Sequence, residues 1–371
     1  MRALAVLVAM AVLSGCTAPG PPPVPPMAGV TPAAGDRATA LGQRAAHTAT
    51  PLLDGSVLVV GGCDVDGCST ATASVFLLTS GGARPISPLN QPRDGHTATR
   101  LADGRVVVIG GWVAEGQGAL AGVEVFHPAD GTWRPTGSLN TPRGGHAAAA
   151  LGDGRVLVVG GRVGRGTVTA RTEIFDPVAA TFGRGPDLPA APDGAVAAEL
   201  PDGRVLVAGG QQGPEVASAA ATVIGADGRA AQPVGRLRQA RFKHAIVPWV
   251  GGTLLVVGGT SDDRELLDST EVFDPRTSSF TPGPRLAHGR YKLSGGVAEL
   301  PDGRVVVGGG GPGAELLEPG AKVSAVVDAV SIGVASFSTV SVVGSDLWFV
   351  GGYDRRVNLT GQDRRVPIAA L

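Results

Sequence analysis

The sequence predicts an all-β fold assembled from repeated units. Its 371 residues include 58 glycines and 29 prolines, whereas aromatic residues make up only 4%. Glycine and proline interrupt many short apolar runs rich in valine, which is typical of strands joined by tight turns. A chain of this length is too long for one simple helical bundle. It fits either two domains or one large closed β architecture.

The strongest signal is an apolar run that ends in two glycines and recurs along the chain. The first glycines of successive runs are 49, 50, 49, 49, 51 and 42 residues apart. A period near 50 residues is the length of one blade of a β-propeller, and the glycine pairs predict seven blades. The pairs are Gly61 and Gly62, Gly110 and Gly111, Gly160 and Gly161, Gly209 and Gly210, Gly258 and Gly259, Gly309 and Gly310, and Gly351 and Gly352.

Each period contains signals for four strands. Asp-Gly pairs such as Asp103-Gly104 separate the first two apolar runs, which predicts a hairpin with a type I′ turn. A third run joins a glutamate to an aromatic residue (VEVF, TEIF, TEVF), and Trp133, Phe182 or Phe280 opens a fourth strand. One such sheet cannot cover both of its apolar faces, but radial stacking of several sheets buries both.

The diglycine, the glutamate in the third strand and the later aromatic residue resemble the kelch repeat, as in the central propeller domain of galactose oxidase. The resemblance covers residues 36–371 and implies a kelch-type β-propeller, with seven four-stranded blades expected and six as the alternative. No fourth strand follows the last repeat. We expect the segment Ala38–Gln43 to complete it, so that pairing of the N- and C-terminal segments closes the ring.

The N-terminal segment predicts export and attachment to a membrane. Residues 1–15 have the layout of a signal peptide, and their apolar stretch is too short to span a bilayer. The letters LSGC at residues 13–16 resemble the lipobox of bacterial lipoproteins, which implies lipidation of Cys16. Residues 16–35 then form the lipidated cysteine and a proline-rich linker. We expect a lipid-anchored protein of the bacterial cell envelope, with the outer membrane favoured because Thr17 rather than aspartate follows the cysteine.

The net charge and the absence of known catalytic motifs argue against several classes of function. A formal net charge of −1 argues against nucleic-acid binding, which requires a clustered excess of cations. The sequence contains no HExxH, GxSxG or P-loop motif. We therefore expect no nucleic-acid partner, no cofactor and no metal, and contact with a membrane through the lipid anchor alone. The oligomeric state stays open.

An Arg-x-x-His pair lies 17 residues before the diglycine in several repeats. The histidines could bind a metal, and the arginines could bind an anion or a sugar. A residue repeated at one position of a propeller more often forms hydrogen bonds between blades, so we expect structural roles for both and for the glutamates of the third strand. The pattern lapses in three blades, where the arginine and histidine positions hold Pro192 and Ala195, Lys292 and Gly295, and Val334 and Phe337. The complete pairs are Arg44 and His47, Arg93 and His96, Arg143 and His146, and Arg241 and His244, and the glutamates are Glu124, Glu173, Glu271 and Glu315.

Two cysteines, Cys63 and Cys68, lie in the loop after the first diglycine. Export would carry them to an oxidising compartment, so we expect a local disulfide. Asp64 and Asp66 lie between them, but the other ligands of a calcium loop are missing. A polar turn stiffened by the disulfide is the expectation.

Ligand-binding residues are expected in the loops that follow the diglycines. In a four-stranded meander these loops share a face with the connections between blades, while the short Asp-Gly turns lie on the opposite face. Binding function concentrates in loops on rigid scaffolds, and exposed aromatic and arginine side chains are enriched at hot spots. The candidates are Trp112, Arg162, Asp262, Arg264, Tyr353 and Arg355.

The kelch resemblance favours a non-catalytic binding or scaffold module that recognises a protein or a glycan through this loop face. The alternative is a carbohydrate-active enzyme, because some kelch-like propellers are copper-radical oxidases and others are sugar-acid mutarotases. The oxidase site needs a cysteine beside two tyrosines and two histidines. Here the tyrosines are Tyr291 and Tyr353 alone, and the cysteines are assigned to the lipid and the disulfide. A mutarotase-like site could draw on residues 290–292 and 354–356.

Overall fold

The computed structural model describes residues 41–65, 68–114, 117–164, 167–189, 192–212, 216–327, 336–354, 358–360 and 363–371. The signal segment, Cys16 and the linker lie outside these ranges. The described residues form seven separate antiparallel sheets, two small hairpins and two single 3-10 turns at Val250–Gly252 and Ile368–Ala370. No helix within these ranges is long and apolar enough to cross a membrane.

Each sheet is one blade, and its strands follow one another from the axis outwards. Blade one contains β1 (Thr48–Pro51), β2 (Val57–Val60), β3 (Val75–Thr79) and β4 (Gly82–Ile86). Blade two contains β5 (Thr97–Arg100), β6 (Val106–Ile109), β9 (Gly122–His127) and β10 (Thr132–Ser138), with a loop hairpin of β7 (Trp112–Ala114) and β8 (Gln117–Ala119). Blade three contains β11 (Ala147–Ala150), β12 (Val156–Val159), β15 (Thr172–Asp176) and β16 (Thr181–Arg184), with a loop hairpin of β13 (Arg162–Gly164) and β14 (Thr167–Val168).

The remaining blades repeat the same order. Blade four contains β17 (Val196–Glu199), β18 (Val205–Ala208), β19 (Ala221–Ile224) and β20 (Ala231–Pro233). Blade five contains β21 (Ala245–Trp249), β22 (Thr253–Val257), β23 (Thr270–Asp274) and β24 (Ser279–Pro282). Blade six contains β25 (Val297–Glu299), β26 (Val305–Val307), β27 (Ala314–Leu317) and β28 (Ala325–Val327), and blade seven contains β29 (Thr339–Val343), β30 (Asp346–Val350) and β31 (Asp363–Pro367).

The second strand of each blade is apolar because neighbouring blades cover both of its faces. In β6, Val107 packs against blade three and Val108 packs against blade one, and both are completely buried. Successive side chains of a strand point to opposite faces, so an unbroken apolar run fits a strand that is buried on both sides.

The Asp-Gly turns connect the first two strands, but not in the predicted type I′ geometry. In blade one only Gly55 has a positive φ, of 81°, whereas both central residues of a type I′ turn require one. Leu52 N donates to Ser56 O at 2.8 Å, and Gly55 N donates to Leu52 O at 3.2 Å. This is a three-residue loop that ends in a left-handed glycine, the next commonest hairpin connection.

The ring closes where blade seven meets blade one. The strands β29 and β1 are neighbours, and Gly352 N donates to the carbonyl oxygen of Arg44 at 2.7 Å. Leu41 is buried with Trp348 in the core between the two blades. The strand predicted over Ala38–Gln43 begins outside the described residues, and its described part forms a turn. The predicted seven-bladed all-β ring is confirmed.

The diglycines allow neighbouring blades to approach closely. A Cβ on Gly61 would lie 2.5 Å from the carbonyl oxygen of Arg93 in blade two, too close for any side chain. Gly62 N donates to that same oxygen at 3.0 Å. The second glycine of five further pairs makes the equivalent bond to the next blade: Gly111 donates to Arg143, Gly161 to Pro192, Gly210 to Arg241, Gly259 to Arg290 and Gly352 to Arg44.

Blade six departs from this pattern. Both glycines have a positive φ in the other six pairs, for example 58° at Gly110 and 103° at Gly111, or 70° at Gly209 and 92° at Gly210. In the predicted pair of blade six, only Gly310 has one, and Gly309 does not. The apolar run of this blade therefore enters its loop with a different backbone.

Candidate functional site

The repeated arginines lie inside the blades and pair with the glutamates of the third strand. The Arg143 side chain is fully buried, and its Nη2 lies 2.8 Å from Glu173 Oε1. Its Nη1 donates to the carbonyl oxygens of Gly160 and Arg171 at 3.0 and 2.8 Å. The structural role is confirmed, but these side-chain bonds lie within one blade rather than between blades. The corresponding pairs are Arg93–Glu124, Arg241–Glu271 and Arg290–Glu315.

The last of these pairs corrects the register of blade six. Arg290, not Lys292, occupies the arginine position: its Nε lies 2.8 Å from Glu315 Oε1, and its carbonyl oxygen accepts from Gly259 N at 2.7 Å. Burial lowers the pKa of Arg290, although Glu315 opposes that shift. Because its side chain is completely buried, Arg290 is not available to a substrate in the way a mutarotase-like site would require.

The histidines form the hydrogen bonds between blades. His146 Nε2 lies 2.9 Å from Thr97 Oγ1 on the innermost strand of blade two. His96 and His47 contact Thr48 and Thr339 of their own preceding blades in the same way. The fourth histidine, His244, differs from these three, because neither of its ring nitrogens has a hydrogen-bond partner in the described part of the chain.

Burial controls the protonation of these histidines. Loss of hydration, with a smaller contribution from the nearby arginine, lowers the pKa of each to about 3. A neutral imidazole can still share a hydrogen bond with a threonine hydroxyl. The histidines therefore hold adjacent blades together as uncharged groups.

The centre of the loop face lies where the innermost strands begin. In the described ranges, the residue after the diglycine of every blade except blade six forms a β-bridge with the residue after the arginine position. We call the centre of the loop face the mouth. It consists of these bridged pairs and, in each blade, the residue two positions after the arginine position. The bridges are Ala45–Cys63, Asp94–Trp112, Gly144–Arg162, Asp193–Gln211, Phe242–Thr260 and Ser336–Tyr353.

The two halves of the mouth differ at the residue two positions after the arginine. This residue has a φ of 54° to 64° in all seven blades, a left-handed conformation that glycine adopts most easily. Blades two to four have glycine there, whereas blades five to seven have Lys243, Lys292 and Phe337. A left-handed conformation costs a residue with a side chain roughly 1–2 kcal/mol. The seven residues are Ala46, Gly95, Gly145, Gly194, Lys243, Lys292 and Phe337.

Cations and aromatic rings alternate along the second half. Lys292 Nζ lies 5.1 Å from the ring centroid of Tyr291 and 5.0 Å from that of Phe337. Lys243 Nζ lies 6.0 Å from the Tyr291 centroid and 2.5 Å from Asp263 Oδ1. A cation within about 6 Å of a ring centroid is attracted to the ring face. We call Lys243, Tyr291, Lys292 and Phe337 the mouth cluster.

Trp112 occupies the other half. A Cβ on Gly95 or on Gly144 would lie 2.4 Å from its indole ring, so these glycines leave room for the ring across blades two and three. The indole Nε1 is buried and has no hydrogen-bond partner in the described ranges. An unpaired buried donor is costly, and a ligand in the mouth could accept from it.

Comparison with known proteins agrees with the repeat geometry. Residues 96–140 and 250–287 match the family model of the Kelch motif. The chain is a seven-bladed β-propeller with matches to the Kelch motif. No curated protein matches the chain. A solved structure titled "Structure of YjhT" is similar to it, with 11% sequence identity, a TM-score of 0.58, and coverage of 88% of this chain and 96% of that chain; at this identity the likeness concerns the fold.

The structure confirms the predicted disulfide and corrects the role of one aromatic candidate. Cys63 and Cys68 are joined, with their Cα atoms 5.2 Å apart. The expectation of an exposed Tyr353 is wrong, since this residue is only 7% exposed. Its hydroxyl lies 3.2 Å from Cys63 Sγ, and its ring meets Phe337 edge-on at 6.4 Å. Tyr353 is therefore a buried part of the mouth that packs between the loops of blades one and seven.

The other loop candidates lie around the rim. Arg162 is exposed, and its Nε donates to Asp193 Oδ2 of blade four at 2.6 Å. The exposed Asp262 shapes its own turn, since its Oδ1 accepts from the backbone N–H of Arg264 at 2.9 Å. Arg264 is exposed on the same loop, and Arg355 lies outside the described residues.

Sequence reasoning missed the mouth cluster. A signal was present, because aligning the repeats on the arginine and the diglycine places glycine in three repeats where Lys243 and Lys292 occur in two. The register error at Lys292 concealed this difference.

Proposed function

We propose that this protein is a non-catalytic binding module that recognises a protein or a glycan at the mouth of its loop face. The mouth cluster is the observation that carries the proposal. Lys243, Lys292 and Phe337 adopt a backbone conformation that three other blades give to glycine. Strain of this kind concentrates at functional sites, whereas stability alone favours glycine at these positions.

The opposite face supports the proposal by contrast. In blades two, three, four and six the hairpin turn pairs an aspartate with the arginine two residues later; Arg105 Nε lies 2.7 Å from Asp103, and Arg304 Nε lies 2.7 Å from Asp302. On the loop face, by contrast, the residue after the diglycine differs between blades, as in Cys63, Trp112 and Arg162.

The chemistry of the mouth suits a ligand with both acceptors and a flat apolar surface. The ammonium groups of Lys243 and Lys292 are donors, while Tyr291 and Phe337 offer aromatic faces. Aromatic side chains supply large contact area with little loss of entropy. An extended protein segment or a sugar ring presents both features.

We further propose that acyl chains on Cys16 hold this module at the bacterial cell envelope, with the outer membrane favoured. More than one acyl chain gives stable anchoring, whereas a single chain is marginal. A proline-rich linker over residues 16–35 extends by about 3 Å per residue, so it would hold the propeller tens of ångströms from the lipid. Metabolic labelling with palmitate should mark the wild-type chain and leave Cys16→Ala unlabelled; equal labelling of both contradicts the anchor.

Affinity capture from envelope extract tests the binding site. The bait is the mature chain carrying Cys16→Ser, compared with the same chain carrying Lys243→Gly and Lys292→Gly, which keep the left-handed backbone. The matched control carries Arg204→Ala and Arg304→Ala, which remove two cations from the opposite face. We expect the wild type and the control to retain the same partner and the mouth variant to lose it at least tenfold. Equal retention by all three baits contradicts the mouth as the site.

A further inference from the structure

The disulfide lies where blades seven and one meet at the mouth. Cys63 is the bridged mouth residue of blade one, and Tyr353 is the bridged mouth residue of blade seven. Both side chains are buried, and they pack together with Ala45, Cys68 and Leu359. We call these five residues the seam. The disulfide between Cys63 and Cys68 therefore belongs to the mouth itself.

A series of contacts leads from the disulfide to the mouth cluster. The Tyr353 hydroxyl lies 3.2 Å from Cys63 Sγ, and the phenol must donate because a disulfide sulfur carries no hydrogen. The Tyr353 ring meets the Phe337 ring edge-on, with the centroids 6.4 Å apart. The Phe337 centroid in turn lies 5.0 Å from Lys292 Nζ. The position of this ammonium group in the mouth is thus connected to the sulfur of Cys63.

Reduction of the disulfide would disturb the seam, because a covalent bond holds two sulfurs closer than two thiols can approach. Cys63 is completely buried, and Cys68 is nearly so. The extra space must therefore come from the neighbouring side chains, and a closely packed interior yields it only when they are displaced. A Cys63 thiol also has a hydrogen of its own, so the Tyr353 phenol is no longer the obligatory donor. Both changes act on Tyr353, which contacts Phe337.

We propose that the Cys63–Cys68 disulfide is a redox control on the mouth: the mouth cluster takes up its binding arrangement only when the two cysteines are oxidised. In this oxidation the two thiols lose two protons and two electrons to a disulfide oxidant. The S–S bond of the oxidant breaks to give two thiols, while the Cys63–Cys68 bond forms. The consequence for ligand binding rests on the proposed function, whereas the link between the sulfurs and Phe337 does not.

Burial determines when this control acts. Thiol–disulfide exchange requires a thiolate to reach a sulfur, and both cysteines are buried in the folded ring. The folded, oxidised chain should therefore resist reduction, and the disulfide must form while blades seven and one are still apart. The redox conditions under which the chain folds then decide whether its mouth can bind.

The three lysines of the chain provide a direct readout. Lys243 and Lys292 belong to the mouth cluster, whereas Lys322 is exposed on blade six outside the mouth. Reductive methylation with isotope-labelled formaldehyde keeps their charge and gives each lysine an NMR signal that responds to nearby aromatic rings; the signal missing from Lys292→Gly identifies Lys292. The Cys16→Ser chain is refolded with either glutathione disulfide or dithiothreitol. We expect the Lys292 signal to differ between the two forms and the Lys322 signal to coincide.

Variants separate the disulfide from the general stability of the ring. Cys63→Ser/Cys68→Ser should give the Lys292 signal of the reduced chain without dithiothreitol. Tyr353→Phe keeps the disulfide and removes only the hydroxyl, so its Lys292 signal should move in the same direction; this variant carries the test if the reduced chain does not fold. Thr97→Val weakens the contact between blades two and three instead and should leave the Lys292 signal in place.

Capture from envelope extract tests the consequence for binding. We expect the chain refolded with glutathione disulfide to retain the partner, and Cys63→Ser/Cys68→Ser to lose it at least tenfold. A Lys292 signal that is unchanged by loss of the disulfide or by Tyr353→Phe overturns the proposal. Equal capture by the cysteine variant also overturns it when Lys243→Gly/Lys292→Gly loses the partner. If Lys243→Gly/Lys292→Gly instead captures as well as the wild type, the proposed function fails, and the Lys292 signal alone decides the redox control.

Discussion

Blades three and five contain the same buried ion pair, with Arg143 and Arg241 each 2.8 Å from a glutamate oxygen. Two residues beyond the arginine, however, blade three has Gly145 and blade five has Lys243, both in the left-handed conformation. The interior of the blades thus repeats its chemistry, while the mouth varies it on the same backbone. We infer that the repeated positions stabilise the ring and that the unrepeated ones bind the ligand.

Acid should weaken the repeated interior and leave the mouth charged. The buried histidines have pKa values of about 3 when folded and an ordinary value of 6.5 when unfolded, so the unfolded state binds more protons below pH 6.5. Stability is therefore lost as the pH falls from 6.5 towards 3. Between pH 7 and 5.5 we expect a loss of somewhat more than about 1 kcal/mol per histidine, or roughly 5 kcal/mol for the four. Urea unfolding at the two pH values measures this loss, and an unchanged free energy of unfolding would contradict the buried, neutral histidines.

Breaking one ion pair should cost nearly as much. Arg143→Leu leaves Glu173 buried without its cation, which typically destabilises a protein by about 3–5 kcal/mol. The double variant Arg143→Met/Glu173→Leu removes both charges, as blade four does naturally, and should cost much less. Guanidinium chloride unfolding of both variants checks this order. If the double variant is less stable than Arg143→Leu, the unpaired charge of Glu173 is not the cause of the destabilisation, and the prediction is wrong.

Two substitutions at the hydrogen bonds between blades should change the free energy of unfolding by smaller amounts and in opposite directions. Thr97→Val removes the partner of His146, whereas Val196→Thr places a hydroxyl at the equivalent position facing His244, whose ring nitrogens lack one in the described residues. We expect a loss of about 1 kcal/mol in the first case and a gain of about 1 kcal/mol in the second. Thermal unfolding distinguishes them, and the same sign for both would contradict the histidine–threonine pairing.

The smallest effect is expected at the mouth. Lys292→Gly relieves a left-handed lysine with a φ of 55°, although glycine also adds entropy to the unfolded chain. The free energy of unfolding should therefore rise by between zero and about 1 kcal/mol. A loss of more than 1 kcal/mol in urea unfolding would mean that Lys292 stabilises the ring, and the interpretation of the mouth as unrepeated binding surface would weaken.

Much of the fold follows from the sequence because it depends on local patterns. Glycine pairs, Asp-Gly turns and apolar runs predict the blades, and two cysteines in one loop of a chain expected to be exported predict their disulfide. The arginine register of blade six was missed because the usual spacing of 17 residues before the diglycine points to Lys292, whereas Arg290, the partner of Glu315, lies 19 residues before Gly309. The burial of Tyr353 depends on contacts nearly 300 residues apart in sequence, and no local pattern reports such contacts.

Of the candidate site, only the face follows from the sequence. Loop topology directs attention to the loops after the diglycines, where Trp112 lies and where we propose the binding site. The mouth cluster depends on three blades that bring Lys243, Lys292 and Phe337 together. This cluster becomes visible only when the blades are compared in space.

The most direct test measures stability and partner capture on the same two variants. The mouth variant is Lys243→Gly/Lys292→Gly, and the interior variant is Arg143→Leu, assayed at a temperature where both are folded. We expect the mouth variant to melt at or above the wild-type temperature and to lose at least tenfold of its partner from envelope extract. The interior variant should melt lower and retain the partner. If instead the mouth variant keeps its partner, or the folded interior variant loses it, the division between a stabilising interior and a binding mouth is wrong.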